Sequence, residues 1–257
     1  MFRVHRLLFD EREQRSREGR NMLNELQVKQ FRYSSDNLGY VIFGKQFALA
    51  VDGGAVSDIL EFIAARNLTL AYIAHTHSHP DHTVGTRRLM DQTGATRLTP
   101  DKLLEEEGVA LESTLVQVYR TPGHTRDSLV FHLNGFLITG DTLFNGTVGN
   151  CFSGDLRAFY QSISHLLSFP DDTVVYAGHD YVEASMQFAR TIEPENTDIE
   201  PYLEKYNPKH VFSTLADEKK VNPYLRFNTP ELISVLKKRG LPTDTAYHRW
   251  ESLMSIE

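Results

Sequence analysis

The stretch His75-Thr76-His77-Ser78-His79-Pro80-Asp81-His82 holds four of the eleven histidines of the chain within eight residues. Three histidines at the spacing of His77, His79 and His82, with an aspartate at position 81, have a chance expectation of order 0.001 in a chain of this composition. The stretch follows the apolar segment 68–74, which is typical of a buried strand. A solvated loop or core histidines are the alternative interpretation, and the spacing favours a functional site.

The spacing of these side chains matches metal ligation. His77 and His79 alternate, so in extended backbone both rings point the same way. Asp81 and His82 follow where the chain turns into a helix, and they point to a second, nearby position. Imidazole and carboxylate groups together suit zinc, iron or manganese. His75 precedes the motif and is a candidate for orienting a ligand.

Three later residues are candidate partners of this cluster. His124 lies in the sequence TPGHT, Asp141 in TGDT and His179 in AGHD. Each follows a predicted strand beside a glycine, so all three can converge on one rim of a sheet. Taken alone, each is typical of a turn, but together with the histidine cluster they favour metal ligation.

Composition excludes several classes of protein. With 40% hydrophobic and 24% charged residues among 257, the chain is neither disordered nor collagen-like. No apolar run approaches the ~20 residues of a membrane-spanning helix. The net charge of −7 does not favour binding to nucleic acid or to an anionic membrane. Cys151 is the single cysteine, which excludes an intrachain disulfide and is compatible with a reducing compartment such as the cytoplasm.

The order of predicted elements indicates an α/β fold. Predicted strands come first, and strands and helices then mix in two successive series, which suggests two packed sheets with helices outside. One predicted helix covers 84–93. We divide the chain into an N-terminal extension (1–25), a main domain (26–180) and a mostly helical C-terminal part (181–257). The mixed charges of 1–25 favour a solvated helix or tail over a targeting peptide or a partner-binding arm.

The ligand candidates as a set resemble the metallo-β-lactamase superfamily; they are His77, His79, Asp81, His82, His124, Asp141 and His179. The resemblance implies an αββα sandwich with a two-metal site at one edge. It assigns His77, His79 and His124 to one metal, and Asp81, His82 and His179 to the other. It also implies that Asp141 and a hydroxide bridge the metals, with Asp81 and Asp141 as the catalytic carboxylates.

The second half of the chain resembles a narrower family, the hydroxyacylglutathione hydrolases (glyoxalase II). The matching sequences are GHDY at 178–181, FAR at 188–190, EP at 193–194, STLADE at 213–218 and NPYLR at 222–226. The resemblance implies a C-terminal substrate-binding domain. It also implies that a hydroxide held by two divalent metals hydrolyses a thioester.

The family holds glutathione with a lysine and an aromatic hydroxyl after the bridging aspartate, and with cations near the C-terminus. Counting from Asp141 places Asn150 and Phe152 at the first two positions. Tyr181 and Arg249 remain from the set, so these four residues are the candidate substrate contacts. A site without the missing cations should bind the dianionic tripeptide weakly.

The leading hypothesis is therefore a metal-dependent thioester hydrolase acting on a small molecule, as a monomer or homodimer. One alternative is a persulfide dioxygenase with a single iron, against which the retention of Asp81, His82 and His179 counts. Another is a non-catalytic binding protein on a hydrolase scaffold, which the complete ligand set disfavours. Cys151 has no histidine base beside it in a nucleophile motif and is predicted to be a pocket or core residue.

Overall fold

The computed structural model describes residues 26–256, and the predicted extension 1–25 lies outside this range. One mixed sheet consists, in spatial order, of β1 (Gln27–Tyr33), β2 (Asn37–Phe43), β3 (Phe47–Val51), β4 (Thr69–Ala74) and β5 (Thr96–Arg97). The first three strands are antiparallel, whereas β4 runs parallel to both β3 and β5. The strands predicted near the start of the chain are thus present.

A second mixed sheet packs on the first. Its spatial order is β11 (Ser213–Thr214), β10 (Val174–Ala177), β9 (Phe136–Gly140), β8 (Leu129–Leu133), β7 (Thr114–Arg120) and β6 (Gly108–Leu111). β9 and β10 are parallel, and β8 is antiparallel to both β7 and β9. The chain therefore runs in the same direction in β7, β9 and β10, and these strands end at one edge.

Ten helices surround the sheets in the described residues. They are α1 (Val56–Ala65), α2 (Pro80–Thr83), α3 (Thr86–Thr93), α4 (Pro100–Glu105), α5 (Leu156–Leu166), α6 (Val182–Ile192), α7 (Ile199–Lys205), α8 (Leu215–Val221), α9 (Pro230–Lys238) and α10 (Ala246–Met254). The single helix predicted over 84–93 is wrong at its start, because Gly85 caps α3 instead. A Cβ at Gly85 would lie 2.0 Å from the Gly53 carbonyl oxygen, so only glycine fits this approach.

Alternating side chains divide the core into layers. Tyr40 and Ile42 pack between the sheets, in one buried cluster with Phe131, whereas Val41 faces α1 on the outside of the first sheet. Val130 faces outward from the second sheet into a cluster with residues of α5, α9 and α10. Period-2 alternation in the strands thus buries both faces of each sheet. The predicted α/β sandwich with helices outside is confirmed.

Buried polar contacts tie the C-terminal helices to one another and to the loop after β9. The buried carboxylate of Glu218 accepts hydrogen bonds from the Tyr202 hydroxyl (2.7 Å) and from the Gly146 amide (2.8 Å). Arg226 donates to both carboxylate oxygens of Glu193, at 2.7 and 2.9 Å. None of the helices within 26–256 is long and apolar enough to span a bilayer.

Candidate metal centre

The histidine cluster lies where β4 leaves its sheet. Extended backbone continues to His79 (φ −60°, ψ 144°), and Pro80 then begins α2 at the position where a proline is tolerated. The Thr76 carbonyl accepts a hydrogen bond from the Leu129 amide of the opposite sheet at 2.7 Å. The ends of β7, β9 and β10 supply His124, Asp141 and His179. The seven candidate residues therefore meet at one edge of the sandwich, as their positions after strands predicted.

Four of the candidates form a first group of converging donor atoms, which all lie within 4.8 Å of one another. Nδ1 of His79 lies 2.9 Å from Nε2 of His77 and 3.1 Å from Nε2 of His124. Oδ2 of Asp141 lies 3.4 Å from the same His124 nitrogen. Three imidazole nitrogens and one carboxylate oxygen thus face a common point.

Asp81, His82 and His179 form a second group with the same convergence. The Nε2 atoms of the two histidines lie 3.2 Å apart. Oδ2 of Asp81 lies 3.3 Å from Nε2 of His179. His82 is fully buried, whereas the Asp81 side chain is about half exposed, so this group borders solvent on its Asp81 side.

Asp141 lies between the two groups. Its Oδ1 is 3.3 Å from Nε2 of His82 in the second group. Its Oδ2 is 3.5 Å from Nε2 of His179 and also faces His124 of the first group. Oδ1 is buried and accepts no hydrogen bond from any described residue. Asp141 is therefore placed to bridge two cations.

The electrostatics of the site suit cation binding. Burial raises the pKa of Asp141, but His179 and His82 outweigh it and hold the pKa well below its usual range. Burial and the nearby His82 lower the pKa of His77 to about 4, so its ring is neutral. Burial lowers the pKa of His82, but Asp52 and Asp141 raise it to about 10. The carboxylates that hold a proton on His82 would equally stabilise a metal cation in its place.

Side chains outside the seven fix the orientation of the histidines. The buried Asp52 accepts from His82 Nδ1 (2.9 Å) and from the Thr76 amide (2.8 Å). The Asp36 carboxylate accepts a hydrogen bond from His179 Nδ1 at 2.9 Å. The side-chain amide of Asn37 donates to the Asp81 carboxylate, also at 2.9 Å. Carboxylates in this position set the histidine tautomer and increase its basicity as a ligand. Sequence reasoning missed these residues, although Asp52 directly follows a buried strand, as Asp141 does.

Replacing Asp36 with alanine is expected to weaken metal binding about tenfold. This is the low end of the effect of removing a carboxylate that orients a ligating histidine, because Asp36 is partly exposed and water can take its place. Competition titration with a chromogenic chelator measures this. Asp58→Ala, in the first turn of α1, is the control. Unchanged affinity in Asp36→Ala would show that Asp36 does not orient His179.

The donor geometry supports the fit of two divalent metals. Facing imidazole nitrogens about 3 Å apart repel through their lone pairs unless a proton or a cation lies between them. The buried, unsatisfied Oδ1 of Asp141 needs a partner for the same reason. Nitrogen and carboxylate donors are also the ligands that zinc, iron and manganese accept. The residues present therefore fit a dinuclear metal site.

Three of the four predicted substrate contacts lie next to these groups. The Tyr181 ring stacks on His179 with ring centroids 5.0 Å apart. The exposed Phe152 ring packs edge-to-face on His124, with ring centroids 5.2 Å apart. Asn150 and Tyr181 line one cleft of about 270 Å³. Arg249 instead donates to the carbonyls of Phe227 (3.0 Å) and Thr243 (2.9 Å). Its guanidinium thus secures two loops of the C-terminal part, and its role in substrate binding stays a prediction.

Residues 96–179 match the metallo-β-lactamase superfamily, and residues 180–251 match the hydroxyacylglutathione hydrolase C-terminus. The structure is similar to that of the ETHE1 protein of Myxococcus xanthus, with a TM-score of 0.60, 25% identity and coverage of 88% of this chain and 99% of that one. It also resembles the BLEG-1 B3 metallo-β-lactamase (TM-score 0.59, 18% identity, 77% and 99% coverage), a likeness of fold alone.

Curated relatives named hydroxyacylglutathione hydrolase match over most of their length. The protein of Pseudoalteromonas translucida is 31% identical over 90% of this chain and 97% of its own. That of Nitrosomonas eutropha is 33% identical over 82% and 89%, respectively. These matches confirm the predicted family and the predicted class of hydrolase. The chain belongs to the hydroxyacylglutathione hydrolase family of the metallo-β-lactamase superfamily.

Proposed function

We propose that this protein hydrolyses a thioester with two divalent metal ions. The observation that carries the proposal is the position of Asp141 between two groups of donor atoms. His77, His79 and His124 would hold one ion and Asp81, His82 and His179 the other, with Asp141 shared. Such a metal pair lowers the pKa of bound water, supplies hydroxide at neutral pH and polarises the scissile carbonyl.

The residues of the chain then have separate tasks. Asp52 and Asp36 hold the Nδ1 atoms of His82 and His179, so that the Nε2 atoms face the centre. Asp81 remains an anion: burial raises its pKa, but the hydrogen bond from Asn37 and the charge of His82 outweigh this. The flat ring of Tyr181, stacked on His179, forms one wall for the substrate.

The relatives' name supplies the first substrate to consider, an S-2-hydroxyacylglutathione. Tyr181, Asn150 and Phe152 are the proposed contacts to substrate, together with Arg249 if the loops at 227 and 243 release it. We further propose that 181–257 is the substrate-binding domain and that 26–180 carries the metal chemistry. The proposed metals are zinc, iron or manganese. The proposed location is the cytoplasm, and the proposed oligomeric state is a monomer or homodimer.

We expect protein purified without chelators to contain two metal ions per chain, because seven ligands exceed what one ion takes from protein. Elemental analysis measures this ratio. A panel of glutathione, coenzyme A and N-acetylcysteamine thioesters then tests hydrolysis by release of the thiol. Chelator treatment should abolish the activity, and added metal should restore it.

The alternatives give different results in the same assays. A persulfide dioxygenase would contain a single iron per chain and would consume oxygen in the presence of glutathione persulfide. A protein with two metals that is inert towards the whole panel would favour a binding protein. Either result would contradict the proposed function.

A further inference from the structure

A groove of about 760 Å³ lies beside the metal centre and contains three arginines. Arg120 and Arg126 come from the two ends of the loop that carries His124, and Arg157 comes from the first turn of α5. The other wall is α10, which contributes Tyr247 and Glu251. The groove therefore combines the main domain with the C-terminal part.

The arginines of this groove make no direct contact with a carboxylate among the described residues. Within residues 26–256 none of the three forms an ion pair, in contrast to the bidentate pair of Arg226 with Glu193. The guanidinium of Arg157 lies 4.1 Å from the centroid of the Tyr247 ring, which fixes its position. A guanidinium held like that of Arg157 matches carboxylate and phosphate oxygens.

The two acids of the groove have other partners. An Asp155 carboxylate oxygen accepts from the Ala158 amide at 2.9 Å and caps α5. Glu251 accepts from the Tyr247 hydroxyl at 2.8 Å. The groove thus keeps one positive charge in excess, on a chain whose net charge is −7. This local charge is opposite to the overall charge, so it selects an anionic ligand.

The groove and the metal centre share the loop that carries His124. The Ser153 amide, in the groove wall, donates to the Gly123 carbonyl at 3.3 Å, next to His124. The preceding Phe152 ring contacts both His79 (5.7 Å) and His124 (5.2 Å). The cleft that contains Asn150 and Tyr181 is lined by no charged side chain among the described residues. This cleft and the groove therefore differ in charge.

We propose that the groove of Arg120, Arg126 and Arg157 binds the anionic end of the thiol carrier. The shared chemistry is a carboxylate or phosphate group at a distance from the thioester. The inference rests on the proposed function, since it assigns the substrate of the same site. The three arginines stand at other positions than Asn150 and Phe152, where the resemblance places a lysine and an aromatic hydroxyl.

The test uses the full metal-loaded chain with Arg126→Ala, Arg157→Ala and the double variant. Arg87→Ala is the matched control, because Arg87 is exposed on α3 and pairs with Asp91. The substrates are lactoylglutathione, which carries carboxylates, acetyl-coenzyme A, which carries phosphates, and S-acetyl-N-acetylcysteamine, which carries no charge. KM and kcat are measured separately for each. Calorimetric titration with glutathione and with free coenzyme A gives a readout independent of turnover.

We expect the double variant to raise KM at least about tenfold for one of the charged thioesters, since each lost charge-assisted contact is worth this much or more. KM for the uncharged thioester and all values of Arg87→Ala should stay within about twofold. The thioester that loses affinity identifies the group bound, carboxylate or phosphate. The kcat should change little, because the lost contacts stabilise the bound substrate and the transition state equally.

Two results would overturn the inference. One is an equal change of KM for the charged and the uncharged thioesters. The other is a calorimetric result in which the parent chain binds neither free carrier, or in which the double variant binds both carriers as tightly as the parent chain. Failure of the proposed function is distinct, because it would appear as no hydrolysis of any thioester by the parent chain. In that case carrier binding that the double variant weakens tenfold would still support the groove.

Discussion

The variant Asp141→Ala is expected to lose at least about 1,000-fold in kcat/KM, which corresponds to roughly 4 kcal/mol of transition-state stabilisation. The physical reason is that both carboxylate oxygens face nitrogens of the two donor groups, His82 on one side and His124 on the other. Without them the metals lose their shared ligand. Elemental analysis should show fewer than two metals per chain alongside the kinetic loss.

The control for this variant is Tyr181→Phe. It keeps the ring stacked on His179 and removes only a hydroxyl, worth about 1 kcal/mol or roughly fivefold. The two variants therefore separate loss of the proposed metal pair from loss of one proposed substrate contact. Equal kinetic losses in both, with two metals retained, would contradict the bridging role of Asp141.

Replacing Asp52 with alanine is expected to lower the free energy of unfolding by about 3 kcal/mol, because a fully buried hydrogen-bonded charge is removed while its partners stay buried. Those partners are the Thr76 amide, the Thr76 hydroxyl at 2.6 Å and His82. Metal affinity should fall about 10–100-fold, as for other carboxylates that orient a ligating histidine. Denaturant unfolding of chelated protein isolates the first effect, and chelator competition measures the second.

Asp52→Asn is the matched variant. Asp52 has φ +52°, a conformation that asparagine adopts more readily than alanine. Asparagine keeps an acceptor for the Thr76 amide but removes the charge that faces His82. We therefore expect it to recover part of the stability while metal affinity stays low. Full recovery of metal affinity in Asp52→Asn would show that the charge has no part in holding the metals.

The metal-ligand candidates could be predicted from the sequence, whereas the residues that orient them could not. The seven donor residues stand in short local motifs at strand ends, and local spacing is readable without a structure. Asp52, Asp36 and Asn37 contact residues far along the chain, for example between positions 36 and 179. Contacts of such sequence separation leave no local pattern, so only the folded chain identifies them.

The two-sheet α/β sandwich could be predicted from the order of elements, and the family from the short motifs that contain the ligand candidates. Alternating apolar residues fix which faces of the strands are buried, and this physical pattern needs no tertiary information. Only the folded chain shows that the Arg249 guanidinium secures two loops. It also shows that Arg120, Arg126 and Arg157 share a groove next to the loop of His124. These arginines come from a strand end, a loop and a helix, so packing of the elements, rather than sequence spacing, brings their charges together.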